Sequence, residues 1–362
     1  MELFASKLQA PVRGNSLVRQ RLTRLFKGPE IRRLITVVAG AGYGKTTLIA
    51  DALAGSEHPV IWYRLDPGDR DPDVFNAYLT RGMIWAFPVL ETDERFRSDL
   101  QGLIPGTQLE AAGGKFRSPD RYISRLAAVL SKVAVTPSFL VLDDFHTVAD
   151  SPDICRALEY LLEVLPKTVG VVLLSRREPP LKLSRLRAGG QLTEINETDL
   201  SFTAPEIQTF YTADIPLTDA DTGHILDKTG GWPASLVLLK YALKDSRGEA
   251  IKRRLSGFSG SQSHIFAYLE ENFFDAQPGE VQAFMIKANL LAEIDAHRCD
   301  RIFGLKGSRK RLAALVREHL LVFPDRENPD IYHFHHLLRD FLNVKGNTFF
   351  SESKIRELHR RI

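Results

Sequence analysis

The run Ala39-Gly40-Ala41-Gly42-Tyr43-Gly44-Lys45-Thr46-Thr47 has the residue types and spacing of a loop that holds phosphate. Glycines let backbone N–H groups turn inward on phosphate oxygens, and the start of a helix adds the positive end of its dipole. In such a loop Lys45 reaches the β and γ phosphates and the Thr46 hydroxyl ligates Mg²⁺. Gly40, Ala41, Gly42, Tyr43, Gly44, Lys45, Thr46 and Thr47 are therefore the expected contacts, with ATP or ADP and Mg²⁺ as the expected ligands. Alanine at position 39 replaces the first glycine of the usual pattern. A second string, Ala112-Gly113-Gly114-Lys115-Phe116, has no hydroxyl and no preceding strand, so it does not share this reading.

Two further apolar runs end in polar groups. Phe139-Leu140-Val141-Leu142-Asp143-Asp144 would place Asp143 to hold Mg²⁺ through water and Asp144 to polarise an attacking water. A strand ending in two aspartates can equally start a turn, and the phosphate loop upstream is what favours the catalytic reading. Val171-Val172-Leu173-Leu174-Ser175-Arg176-Arg177 delivers Arg176 to the carboxyl end of a buried strand. Ligands of open α/β sheets bind there, and Arg176 could sense the γ-phosphate, with Arg177 competing for the role. In Tyr332-His333-Phe334-His335-His336, no carboxylate or cysteine stands at a metal-ligand spacing. Strand alternation would also send the imidazoles to opposite faces.

These groups need elements to position them. The runs Leu34–Ala39, Val60–Leu65, Phe139–Asp143, Val169–Ser175 and Leu192–Ile195 read as strands. Helical patterns at Asp73–Phe87, Arg121–Val133 and Ile154–Leu165 separate most of them. Strands alternating with helices predict an α/β fold, a doubly wound parallel sheet of the P-loop type over residues 1–200. Pro88–Pro119, rich in glycine and without a sustained period, reads as an insertion. Three short helices at Glu206–Thr212, Ala220–Thr229 and Ala234–Lys244, then a charged and Gly/Ser-rich linker at Asp245–Gly260, suggest a small helical domain over 201–260. Helices at Ile265–Phe274, Gly279–Lys287 and Arg309–Leu320 precede two short apolar runs that read as a β-hairpin. That order predicts a winged-helix domain over 261–350. Residues 351–362 read as the start of a helical segment continuing in a longer protein.

Composition sets bounds. With 362 residues, 44% hydrophobic and 26% charged, the chain has ordinary globular usage and length for two or three domains. A net charge of +3 permits contact with polyanions without marking a nucleic-acid binder. Cys155 and Cys299 form no CxxC pair, so neither a disulfide framework nor a zinc knuckle is suggested, and the reducing cytoplasm fits best. No apolar run approaches the ~18 to 20 residues that span a bilayer.

Taken together, the motifs resemble the STAND class of P-loop ATPases, most closely the MalT-like bacterial transcription activators. The resemblance covers nearly the whole chain. Its blocks run from Ser6 to Arg13, Val18 to Leu22, Ala41 to Ile49, Trp62 to Asp69, Leu140 to His146, Leu174 to Arg176 and Gly230 to Leu236. It implies nucleotide-binding, helical and winged-helix domains folded over ADP. It also implies Val18 and Arg19 near the adenine, Pro233 on the base, Arg176 as the sensor and His335 at the β-phosphate. Arg64 stands where the family often has a small residue and His336 where proline is usual, which leaves the choice between His335 and His336 open.

By that resemblance the chain is a signalling switch, closed with ADP and self-associating with ATP, with slow hydrolysis resetting it. The inducer and DNA would be bound by domains outside this chain, often a LuxR-type helix-turn-helix for the output. Two rivals remain. Lys306-Gly307-Ser308-Arg309-Lys310-Arg311 puts four cations at a helix start and suggests a nucleotide-regulated winged helix that binds DNA itself. Leu186-Arg187-Ala188-Gly189-Gly190-Gln191 hints at the transporter-ATPase signature, but it follows the Asp143 strand whereas that signature precedes it.

Overall fold

The computed structural model describes residues 4–11, 17–26, 31–54, 58–96, 100, 103, 119–212, 215–243, 250–251, 263–291, 293–318, 320–325, 328–351, 357–358 and 360. The chain divides into two compact units: Met1–Ala39 with Lys45–Asp199, and Gly40–Gly44 with Leu200–Ile362.

In the first unit the expected strands form one sheet: β1 (Leu34–Val38), β2 (Val60–Arg64), β3 (Ser138–Asp143), β4 (Val169–Ser175) and β5 (Leu192–Ile195). Their order is β2-β3-β4-β1-β5 and every pairing is parallel. Parallel neighbours require crossover connections, which the helices Lys45–Leu53 (α1), Pro72–Ala86 (α2), Pro119–Val133 (α3) and Pro152–Val164 (α4) supply. β1, β3 and β4 are buried along their whole length, which is why they read as unbroken apolar runs rather than alternating ones. The core gathers Tyr63, Phe75, Tyr122, Leu142, Leu158 and Leu173. Because all strands run the same way, Ala39, Asp143 and Ser175 are delivered to one edge of the sheet, with Val38 paired to Ser175 in register. Within the expected insertion, Val89–Thr92 and Glu94–Phe96 are short helical turns, and most of the remainder lies outside the described residues.

The second unit carries the helices Ala204–Thr212 (α5), Asp219–Thr229 (α6) and Pro233–Leu243 (α7). Thr218 and Asp221 close a capping box at the start of α6, and Gly230 at φ 56° ends it. The expected linker falls almost wholly outside the described residues. Ser263–Leu269 (α8) continues into a π-helical turn at Glu270–Phe274, and Gly279–Asn289 (α9) follows. The expected hairpin is present, with β7 (Val322–Pro324) antiparallel to β8 (Ile331–Phe334). Sequence reading missed a third strand, β6 (Ile294–Asp295), which pairs with β8, and the helix Ala296–Phe303 (α10) after it. A two-residue strand has no periodicity to detect. Ser308–Arg317 (α11) and His336–Phe349 (α12) complete the described helices of this sheet's surroundings. Among the described residues no helix is long and apolar enough to cross a membrane.

Candidate functional site

In the first unit, β1 hands the chain to α1, whose first residue is Lys45. Lys45 is buried and its Nζ donates to the Ala39 carbonyl at 2.7 Å. Burial lowers its ammonium to about 8, the Arg176 guanidinium acts in the same direction, and Asp144, Asp143 and Glu197 oppose them. The next residue, Thr46, brings its hydroxyl within 3.1 Å of both Asp143 oxygens, and Thr47 is exposed. Asp143 closes β3 at 2% exposure. Burial, then the Asp144 charge, raises its carboxyl to about 6, against hydrogen bonds from Thr46 and the Asp144 N–H.

Asp144 stands at φ 57° and ψ 37°, a left-handed conformation uncommon for a non-glycine residue. That turn leaves its carboxylate 3.3 Å from Arg64 Nε and 4.0 Å from His146 Nδ1. Burial lowers the His146 imidazole to about 4 against the pull of Asp144, with Arg176, Lys45 and Arg177 adding to the fall. Arg176 follows β4, half-buried. At the amino end of this unit, Val18 is 40% exposed while Arg19 is buried. Arg19 and Arg21 both donate to the Asp199 carbonyl, at 3.1 and 2.7 Å.

In the second unit, Gly42 and Gly44 take φ of 76° and 74°, so the loop needs glycine at both. A Cβ on Gly44 would meet nothing within 4 Å. Gly40, Ala41 and Tyr43 are buried. Trp232, 1% exposed, donates its indole N–H to the Ala41 carbonyl at 3.2 Å, and the Ala234 N–H donates to the Gly42 carbonyl at 3.1 Å. Pro233, half-buried, is the first residue of α7. His335 caps α12: its Nδ1 accepts from the Leu337 N–H at 3.3 Å, which leaves the proton on Nε2, 3.3 Å from the Thr229 carbonyl. The His336 side chain lies outside the described residues.

Lys45, Thr46, Asp143, Asp144 and Arg176 thus fall together at the carboxyl edge of the parallel sheet. A hydroxyl and a carboxylate within 3.1 Å of each other are the hard oxygen donors Mg²⁺ takes. Among the described residues no group of three or more His, Cys, Asp or Glu side chains could hold a metal. A cation there would complete its shell with phosphate oxygens and water. Sequence reading passed over the Arg64 and His146 contacts to Asp144, and Trp232, whose neighbour Pro233 carried the assignment. The Asp-Asp-Phe-His string was the available signal for His146.

The family model of the MalT winged-helix domain matches residues 269–348. The HTH-type transcriptional regulator MalT of Cronobacter sakazakii is 27% identical over an alignment covering 99% of this chain and 38% of that protein. The regulator of the same name from Yersinia enterocolitica is 29% identical over 95% of this chain and 36% of its own length. The chain therefore spans somewhat more than a third of the length of the curated relatives it matches. Among solved structures, a Walker-type ATPase of Pyrococcus abyssi is similar with a TM-score of 0.52 and 15% identity, covering 90% of this chain and 95% of that one. At that identity the likeness is one of fold.

Proposed function

We propose that this chain, similar to MalT regulators over nearly its whole length, is a STAND-class P-loop ATPase and the nucleotide-controlled switch of a transcription regulator. It is closed with ADP, opens to self-associate with ATP, and is reset by slow hydrolysis. The observation that carries this reading is the meeting of the Thr46 hydroxyl with the Asp143 carboxylate, next in sequence to the buried Lys45 ammonium. Each of these groups is a ligand for Mg²⁺ or for phosphate.

In this reading the backbone of Gly40 to Gly44 and the Thr47 N–H cradle phosphate, Lys45 holds it, and Thr46 with Asp143 would hold Mg²⁺. The metal would neutralise charge on the phosphates. Asp144 accepts a hydrogen bond from the attacking water, while Arg64 pairs with its carboxylate. Arg176 contacts the γ-phosphate, Val18, Arg19 and Pro233 contact the base, and His335 donates from Nε2 to the β-phosphate of ADP. The domains divide at residues 200, 260 and 350. The inducer and DNA are bound by segments outside this chain, in the cytoplasm.

DNA binding by the winged helix itself is the second reading, and against it one of the four cations at the start of α11 and the backbone before it are engaged within their own unit. Arg309 pairs with Asp330 at 3.0 Å, and the Asp300 carboxylate accepts from the Gly307 N–H and from the Ser308 N–H and hydroxyl. Chromatography of the nucleotide released from purified protein, with steady-state ATPase assays, tests the proposal. Bound ADP and turnover far below ~10 s⁻¹ are expected. Turnover near that figure without an activator would overturn it.

A further inference from the structure

We propose that Trp232 is a positioning residue of the phosphate loop: its indole N–H pins a loop carbonyl outward, so that the loop's own N–H groups face the polyphosphate. This rests on the nucleotide reading above and deepens it by naming what holds the loop in its binding form.

Three observations within the second unit carry the inference. The first is the pair of hydrogen bonds from Trp232 Nε1 to the Ala41 carbonyl at 3.2 Å and from the Ala234 N–H to the Gly42 carbonyl at 3.1 Å. A trans peptide is planar, and its C=O and N–H point in opposite directions. Pinning the Ala41 and Gly42 carbonyls therefore turns the Gly42 and Tyr43 N–H groups the other way, the inward orientation that an anion-binding loop requires.

The second observation is the fit around Gly42. A Cβ there would stand 2.7 Å from Ala234 Cβ, 2.7 Å from Tyr268 Oη and 3.0 Å from Trp232 Nε1. The backbone thus comes as close to these side chains as a residue without Cβ allows. The third is the rigidity of the donor. The Trp232 ring lies edge-on to Tyr268 and Phe273, with centroids at 5.7 and 5.9 Å, and 6.2 Å from the His335 ring. A buried indole N–H needs an acceptor, and here it is the loop. Trp232 is thereby the common neighbour of the phosphate loop and of the histidine that the switch reading ties to ADP.

The loop's amides serve ADP and ATP alike, so losing the pin should weaken both by one factor and should weaken pyrophosphate, which has no base, by the same factor. Calorimetric titration of Mg²⁺-ADP, a non-hydrolysable Mg²⁺-ATP analogue and Mg²⁺-pyrophosphate into wild type, Trp232→Phe and Phe273→Leu tests this. For Trp232→Phe a loss of about 3- to 10-fold is expected for all three ligands, the range for one neutral hydrogen bond. Phe273→Leu disturbs the packing of Trp232 without removing its N–H. It should lower the thermal midpoint and keep pyrophosphate affinity within about twofold of wild type.

An independent measurement needs no variant at position 232. In wild type labelled with ¹⁵N-tryptophan, the Trp232 indole signal is one of three, assigned with Trp62→Phe and Trp85→Phe. It should move on adding pyrophosphate, because a peptide whose N–H donates to phosphate becomes a stronger acceptor at its carbonyl. Wild-type affinities in Trp232→Phe, an equal loss in Phe273→Leu, or a stationary indole signal would overturn the assignment while leaving the nucleotide reading in place. Wild type that binds neither nucleotide would overturn both.

Discussion

Replacing Asp143 with asparagine should stabilise the nucleotide-free protein at neutral pH while impairing its use of Mg²⁺. Burial and the neighbouring Asp144 charge raise the Asp143 carboxyl from its ordinary 3.8 to about 6. Between those values the folded chain binds more protons than the unfolded one, so stability falls as pH rises through the window. Above pH 6 the full effect is present, about 3 kcal/mol of destabilisation. Asparagine has the same shape, is never ionised, and keeps an oxygen to accept from the Thr46 hydroxyl and the Asp144 N–H. Losing the charge-assisted part of those bonds costs about 1 kcal/mol. The variant should therefore gain about 2 kcal/mol at pH 7. At pH 5, where roughly half of the wild-type penalty remains, it should gain about 0.5 kcal/mol. Urea unfolding of nucleotide-free protein in EDTA at both pH values reads this directly, and Mg²⁺-ADP titration of the same samples reads the functional loss. An asparagine variant less stable than wild type at pH 7, or a gain that does not shrink at pH 5, would refute the reasoning.

Lys45→Ala should abolish tight nucleotide binding, whereas Asp144→Ala should bind ATP and fail to hydrolyse it, since in the proposed mechanism Lys45 would hold phosphate in the ground state and Asp144 would act as the water attacks. Equal loss of ATP binding in the two variants, measured by titration, would count against these roles. His335→Ala should weaken ADP by about 10- to 150-fold, the range of a hydrogen bond to a charged group, with a smaller effect on ATP. Equal weakening of both nucleotides, or an effect confined to His336→Ala, would remove His335 from the role. Burial holds the His146 imidazole down at about 4, so between pH 6.5 and 4 the unfolded chain binds the extra proton and wild type loses stability as pH falls. Urea midpoints of His146→Gln should fall less steeply across that window, and parallel slopes would exclude this origin.

β1, β3 and β4 were legible as short apolar runs buried on both faces, and β2 and β5 as shorter β-branched or apolar stretches bounded by polar or turn residues. Lys45, Thr46 and Asp143 were legible because the chemistry is written in contiguous strings, and parallel strands bring the ends of β1 and β3 to the same edge. Other contacts left no local mark. Trp232 and Ala41 are 191 positions apart, Arg64 and Asp144 are 80 apart, and neither pair has a spacing rule. The arginines on the Asp199 carbonyl escape for the same reason, since a backbone acceptor has no residue type to read. β6 escaped because two strand residues give no period, and α10 because its buried Ala296, Cys299 and Phe303 keep helical spacing over only eight residues, shorter than the window in which that pattern is read.

Departures from ordinary local preference gather at the proposed site, and they share a physical sense. Asp144 and Leu321 are the non-glycine residues at positive φ among those described, one following Asp143 and the other accepting the His335 N–H through its carbonyl. Lys45 and Asp143 are each buried against the preference of their charged forms, as the fall of one and the rise of the other record. A nucleotide with its cation would bring negative charge to Lys45 and positive charge to Asp143, so the groups that weaken the empty fold would be the ones that make it bind. Ligand at about 100 times its Kd adds ~2.7 kcal/mol to a fold that binds it only when folded.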